Sequence, residues 1–205
     1  MVDKATDNKL RIISLYRSNY LATYHVREMA KLTKKSHVTL LPHLKAFESD
    51  KILVPKTRGK NKIYTLNLDN ILTKNYLIMS ELVESIVYQE QFFLIKKITM
   101  EISKFHLPGP FILFGSYAKK TFKEDSDIDI FYLGELKESE ITNLKVIGKT
   151  YGKIINLKTA TTKNFEIGLR KKDALIMEII KYHLIVQSPD LFINILWRYY
   201  YEIRG

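Results

Sequence analysis

Residues 111–133, FILFGSYAKKTFKEDSDIDIFYL, constrain the chain more than any other stretch. The apolar run Phe111 to Phe114 reads as a buried strand that ends at Gly115-Ser116. A short helix, YAKKTF, is expected next, then a strand in which Ile128, Ile130 and Tyr132 alternate with Asp127, Asp129 and Phe131. Side chains two apart on a strand share a face, so Asp127 and Asp129 project together while Ile128 and Ile130 anchor the other side in a core.

Adjacent carboxylates repel, and such a pair calls for a cation or a raised pKa. Mg2+ (or Mn2+) answers that need, since Mg2+ takes oxygen ligands, keeps waters and bridges substrate phosphates. Gly115 lets backbone approach a ligand closely and Ser116 adds a hydroxyl. Amides at the start of the following helix attract anions. Together these features would hold a nucleoside triphosphate with its metal. Lys119 and Lys120 could add charge near the phosphates, although a solvated surface suits at least one of them.

The block GSYAKKTFKEDSDIDI resembles the DNA polymerase β-like nucleotidyltransferase superfamily, and within it the small minimal nucleotidyltransferases. The matching residues are Gly115, Ser116, Ala118, Ser126, Asp127 and Asp129; Thr121 stands where a glycine is common. The resemblance spans about residues 108–160. It implies an α/β (α+β) domain with a mixed sheet and flanking helices, and metal-dependent transfer of a nucleoside monophosphate with release of pyrophosphate. It further implies Gly115, Ser116 and Lys119 at the triphosphate, and Asp127 and Asp129 as catalytic metal ligands. The family supplies a third carboxylate from a following strand. Here that strand is expected within residues 152–161, where the matching position is Asn156. An amide neither carries negative charge nor acts as a base, so triphosphate binding is better supported than turnover. Glu166 or Glu178, from nearby helices, are the acidic residues that could substitute.

The charge is distributed unevenly. Residues 1–70 carry 14 basic and 6 acidic side chains; the remainder carries 19 and 16, giving +11 overall. Helices are expected around residues 8–19, over HVREMAKLTK (Val26, Met29, Ala30 and Leu32 inward), and from a Ser36 cap onward with Val38, Leu41, Leu44 and Phe47 buried. Pro42 inside the third helix predicts a kink or a start later than Ser36. Ile52–Val54 and IYTLNL flank the basic turn KTRGKNK as a hairpin. Residues 8–68 resemble the winged helix-turn-helix family. That resemblance implies DNA contacts from Lys34, Lys35, Ser36, His37, Thr39 and His43, and from Lys56, Arg58, Lys60, Asn61 and Lys62 on the wing. The cation density is what phosphate neutralisation requires. Winged helices also dock proteins, which stands as the other reading.

Residues 75–106 lack Gly and Pro and carry an apolar stripe through Leu77, Ile78, Leu82, Val83, Ile86 and Val87, then Phe93, Leu94, Ile98 and Ile102. A long amphipathic helix is expected, bent near Tyr88–Gln91, serving as connector, dimerisation element or core packing. The expected layout is a winged helix at 1–70, a connecting helix at 71–106 and a nucleotidyltransferase-like domain at 107–205. In the tail, Asp173 and Ser188-Pro189 mark helix starts, His183 reads as a packed or exposed histidine, and Trp197 with Tyr199–Tyr201 reads as packing. Cysteine is absent, which removes disulfides and thiolate chemistry. No secretory signal or membrane-length run is visible, so a soluble, cytoplasmic protein without membrane contact is expected. Dimerisation through the connecting helix would suit a winged helix reading two half-sites, so a homodimer is expected. The two resemblances imply two functions: transfer of a nucleotide, AMP foremost, to an acceptor such as a partner toxin, or DNA-binding regulation with a degenerate nucleotide sensor.

Overall fold

The computed structural model describes residues 4–59 and 61–205; the side chains of residues 4–6, Arg58 and Asn61 lie outside the description. The expected wing residue Lys60, and the side chains of Arg58 and Asn61, therefore fall outside the described residues. The chain divides into two compact units, residues 1–81 with 196–205, and residues 82–195. The division falls inside two helices rather than at residues 70 and 106, and the last ten residues group with the front of the chain.

The first unit holds α1 (Lys4–Ser14), β1 (Tyr24–His25), α2 (Val26–Thr33), α3 (His37–Ser49), β2 (Leu53–Arg58) and β3 (Asn61–Leu66). The strands form an antiparallel sheet in the order β1-β3-β2, and Arg58 pairs with Asn61 across a tight turn at Gly59 (φ +62°). Leu10, Ile12 and Ile13 of α1, and Tyr16 just after it, are buried. Ser36 caps α3 as expected, its hydroxyl accepting from the Thr39 amide at 3.1 Å. The helix therefore starts at His37 and runs through Pro42, not from a later point.

Its buried face differs from the expected one. Leu40, Leu44 and Phe47 are buried, whereas Val38 (63% exposed) and Leu41 (38%) face solvent. The two apolar sets lie on adjoining sides of the helix, and packing chose the 40/44/47 set. On α2, Met29 and Thr33 are buried and Leu32 is exposed, for the same reason. Tyr200 belongs to this unit's core; it packs on Tyr20 and donates to the Ser18 carbonyl. Trp197 also faces Tyr20, so the tail aromatics serve packing.

α4 (Ile71–Gln91) begins in the first unit and ends in the second, which continues with α5 (Phe93–Ser103). Phe92 leaves helical geometry (φ −122°, ψ 89°) and separates them, next to the expected bend. Next come β4 (Phe111–Phe114), α6 (Gly115–Lys119), β5 (Ile128–Leu133), α7 (Glu138–Thr150), β6 (Ile155–Ala160), α8 (Thr162–Arg170), α9 (Ala174–Lys181) and β7 (Leu184–Gln187). The final helix, α10 (Pro189–Ile203), starts in this unit and ends in the first. The sheet order is β6-β5-β4-β7, with β5 and β6 parallel and the other pairs antiparallel, so the sheet is mixed.

β4 is buried at all four positions because both of its faces are covered. Ile128, Ile130 and Tyr132 join Ile95, Ile98 and Ile102 of α5 in one core cluster. On the opposite face Phe131 meets Phe165 of α8, which meets Phe192. Alternation along β5 thus places Asp129 on the Phe131 side. Among the described residues no helix is long and apolar enough to cross a membrane.

Candidate functional site

Gly115 takes φ +66°, a left-handed conformation that side-chain-bearing residues adopt at a cost. It also leaves room that a side chain would fill, since a Cβ at this point would collide with the Asp129 carboxylate. The expected Gly-Ser turn and the following helix are one unit: α6 starts at Gly115 itself, not at Tyr117. Lys120 ends it in the left-handed region (φ 58°), and the Thr121 amide bonds the Ser116 carbonyl at 2.9 Å. The turn thus closes at Lys120 and needs no glycine at Thr121.

β4 and β5 pair Phe114 with Asp129, which sets the aspartate beside the start of α6. β5 and β6 pair Asp129 with Asn156. The Asn156 side-chain amide donates to Asp127 Oδ2 and to Asp129 Oδ1, both at 3.3 Å. One amide therefore bridges the two carboxylates and offsets part of their repulsion. Asp129 still has its pKa raised above 3.8. Burial is the largest cause, the Asn156 hydrogen bond opposes it, the charges of Asp127 and Glu178 add to it, and Lys119 opposes them.

The two lysines diverge. Lys119 pairs with Glu178 of α9 at 2.5 Å and lies 5.3 Å from the Tyr182 ring centre. The Glu178 hydrogen bond raises its pKa. Lys120 instead turns to Gln91 (3.4 Å) and to the rings of Tyr88 and Phe92. Lys119 is the one within electrostatic reach of Asp129. Glu178, an alternative acid at the sequence level, is thereby tied to Lys119. Neither it nor Glu166 completes a metal-holding group of three acidic or imidazole side chains among the described residues. The side chains here that could hold a divalent cation are the carboxylates of Asp127 and Asp129, with the Asn156 amide group facing both. Two carboxylates suit Mg2+ that also draws ligands from phosphate and water.

His183 is buried, with Nδ1 2.9 Å from the Ile180 carbonyl and its ring against Phe192. It is a packed histidine.

In the first unit, Lys34, Ser36, His37, Thr39 and Lys56 are exposed and Lys35 is half-buried. Two expected DNA-facing residues are engaged elsewhere. His43 is half-buried, with Nε2 3.3 Å from the Asn8 side-chain amide, because its place on α3 faces α1. Lys62 pairs with Glu48 of α3 at 2.7 Å, and Tyr64 donates to the same carboxylate. Burial pushes the Glu48 pKa up, but these two hydrogen bonds and nearby lysine charge leave it below 4.5.

Residues 94–186, from α5 through β7, match the family model of the nucleotidyltransferase domain. The matched segment contains the mixed sheet except for Gln187 at the end of β7, and it contains α6, both aspartates and Asn156. It supports nucleotidyl transfer as the general chemistry of this unit. No curated protein and no solved structure matches the chain.

Proposed function

We propose that the second unit binds a nucleoside triphosphate with Mg2+ (or Mn2+) between Gly115-Ser116 and Asp127/Asp129, and transfers its nucleoside monophosphate, AMP foremost, to an acceptor. The observation that carries this reading is the closeness of Gly115 to the Asp129 carboxylate, which brings a side-chain-free turn beside the acidic pair. Asp127 and Asp129 would hold the cation, which would neutralise phosphate charge when bound. Gly115, the Ser116 hydroxyl and Lys119 would hold the phosphates. In the transfer, an acceptor oxygen or nitrogen forms a bond to the α-phosphorus, the bond to the bridging oxygen of the β-phosphate breaks, pyrophosphate leaves, and the acceptor proton passes to solvent. A protein acceptor, including a partner toxin, fits this chemistry.

We further propose that residues 1–70 form a winged helix-turn-helix that binds DNA. Three short helices followed by an antiparallel hairpin support it, as does the +8 charge of this segment. Exposed Lys34, His37, Thr39 and Lys56 are the favoured contacts.

A second reading is a DNA-binding regulator whose nucleotide site senses but does not turn over. Asn156 favours it, because an amide bonded to both aspartates fills the place of the third acid. Incubation with α-labelled triphosphate, Mg2+ or Mn2+ and candidate acceptors separates the two. Transfer of label that is lost in the Asp127→Ala/Asp129→Ala variant supports the enzyme. Saturable triphosphate binding without transfer supports the sensor.

A further inference from the structure

Asp127 and Asp129 are held in place by different means. Asp129 lies in the β5 ladder, paired with Phe114 on one side and Asn156 on the other. β5 begins at Ile128, so Asp127 stands one residue before it rather than within the strand that the alternation predicts. Its place therefore depends on the turn of residues 123–126. Two bonds close that turn on itself. The Ser126 amide donates to the Lys123 carbonyl at 3.1 Å, and the Lys123 amide donates to Ser126 Oγ at 2.8 Å. Neither bond ties the turn to the sheet.

Lys153 does. Gly152, at φ +65°, lets the chain turn away from the end of α7, and the Lys153 amide returns to the Gly148 carbonyl at 2.9 Å. From that anchored root the half-buried Lys153 side chain reaches the turn. Its ammonium donates to the Glu124 carbonyl and, at 3.4 Å, to the Ser126 carbonyl. An ammonium carries three protons, so one side chain serves both. Next along the chain, the Ile154 carbonyl accepts the Ile128 amide at 2.9 Å, and Asn156 bridges the two carboxylates. Residues 153–156 thus grip residues 124–129 at successive points, and Lys153 holds the end that carries Asp127. The charge suits the place as well. Glu124, Asp125, Asp127 and Asp129 crowd one short stretch, and an ammonium beside it offsets part of their repulsion.

We propose that Lys153 is a positioning residue of the triphosphate site: by binding the Glu124 and Ser126 carbonyls it fixes Asp127 where it can share a cation with Asp129. This rests on the reading of Asp127 and Asp129 as the cation-holding pair. Lys153 acts through the backbone that carries Asp127, not on the phosphates.

The test is isothermal titration of the full chain with a nucleoside triphosphate at several Mn2+ concentrations, with circular dichroism as the folding control. In Lys153→Met the Mn2+ concentration for half-saturation rises roughly 10–100-fold, the size usual when a group that orients a metal ligand is lost. Lys153→Arg keeps the charge and can donate to both carbonyls, so it stays within about threefold of wild type. Amide hydrogen exchange without cation or nucleotide reads the turn itself. The Ser126 amide exchanges faster in Lys153→Met than in wild type, and Lys153→Arg restores its protection. Equal Mn2+ dependence in wild type and Lys153→Met overturns the proposal. So does an arginine variant as weak as the methionine one, or unchanged exchange at Ser126. If Lys153→Met does not fold, Ser126→Ala decides, because it opens the same turn from within. Weaker Mn2+-dependent binding then supports the proposal and unchanged binding overturns it. A wild type without Mn2+-dependent binding defeats the nucleotide reading and this proposal with it, whereas binding indifferent to Lys153 defeats this proposal alone.

Discussion

Asn156 stands opposite Asp129 in the β5/β6 register, and its amide nitrogen lies 3.3 Å from Asp129 Oδ1. The same nitrogen lies 3.3 Å from Asp127 Oδ2. An aspartate at this place would replace a donor by a third negative charge. Asn156→Asp is therefore expected to lower the Tm without divalent cation, by roughly 1–3 kcal/mol of lost stability, through one missing bridge and added repulsion. Adding Mn2+ or Mg2+ should return much of that loss. Differential scanning calorimetry with and without the cation reads both effects, and a metal-independent Tm in this variant would count against a cation site.

Gly115→Ala forces a Cβ into the Asp129 carboxylate at a left-handed backbone position. The expected cost is about 1–3 kcal/mol of stability, with loss of triphosphate binding in a chain that still folds. Urea unfolding and titration with a labelled triphosphate measure the two together. An unchanged midpoint would show that the turn and the aspartate are not in contact.

Asp129 holds its proton more tightly in the folded chain than its ordinary value of 3.8, chiefly through burial. Such a group contributes stability that is fully present below the unfolded pKa and is lost as pH rises through the folded one. At neutral pH the ionised carboxylate therefore costs stability. Asp129→Asn should raise the Tm at pH 7, with the gain shrinking as pH falls below about 4, while removing cation-dependent triphosphate binding. Melting curves from pH 3 to 8 check the sign; a gain that grows toward low pH contradicts it.

Much of this site was legible because its signals are local. A four-residue apolar run, Gly115-Ser116 and the Asp-Ile-Asp-Ile alternation each fix a backbone state or a face within a few residues. Even the opposition of Asn156 to Asp129 follows from matching two apolar alternations. The rest depended on packing between distant segments. Leu40 and Leu41 are both apolar neighbours on α3, so spacing alone does not choose which faces inward. The buried Ser80, Glu81 and Ser85 are intelligible only once Arg17 is seen to meet Glu81, 64 residues away in sequence. Likewise, no local pattern ties Lys62 to Glu48 or Lys119 to Glu178.

Pro42 lies mid-helix on an exposed face of α3, where its missing N–H leaves the Val38 carbonyl without its helical donor. Pro42→Ala restores that donor and should stabilise the chain by about 1–3 kcal/mol. Chemical denaturation tests it. A destabilised variant would mean that the proline ring contributes packing which the exposed position does not suggest.

For the front unit, Lys56→Ala should weaken DNA binding across sequences and reduce the slope of log affinity against log salt by about one. Lys62→Ala should have a smaller effect on that slope, because its charge is already paired with Glu48. Fluorescence anisotropy from 50 to 200 mM salt, conditions in which phosphate contacts register clearly, distinguishes them; equal slopes for the two variants and wild type would remove Lys56 from the contact.

The central claim is that Asp127 and Asp129, with the Gly115 turn, form a triphosphate site. Isothermal titration of the full chain with a nucleoside triphosphate and Mg2+ tests it most directly, beside the Asp127→Ala/Asp129→Ala variant. The account predicts saturable, cation-dependent binding by wild type and none by the double variant. Equal binding by the two proteins, or no binding by wild type, would contradict it.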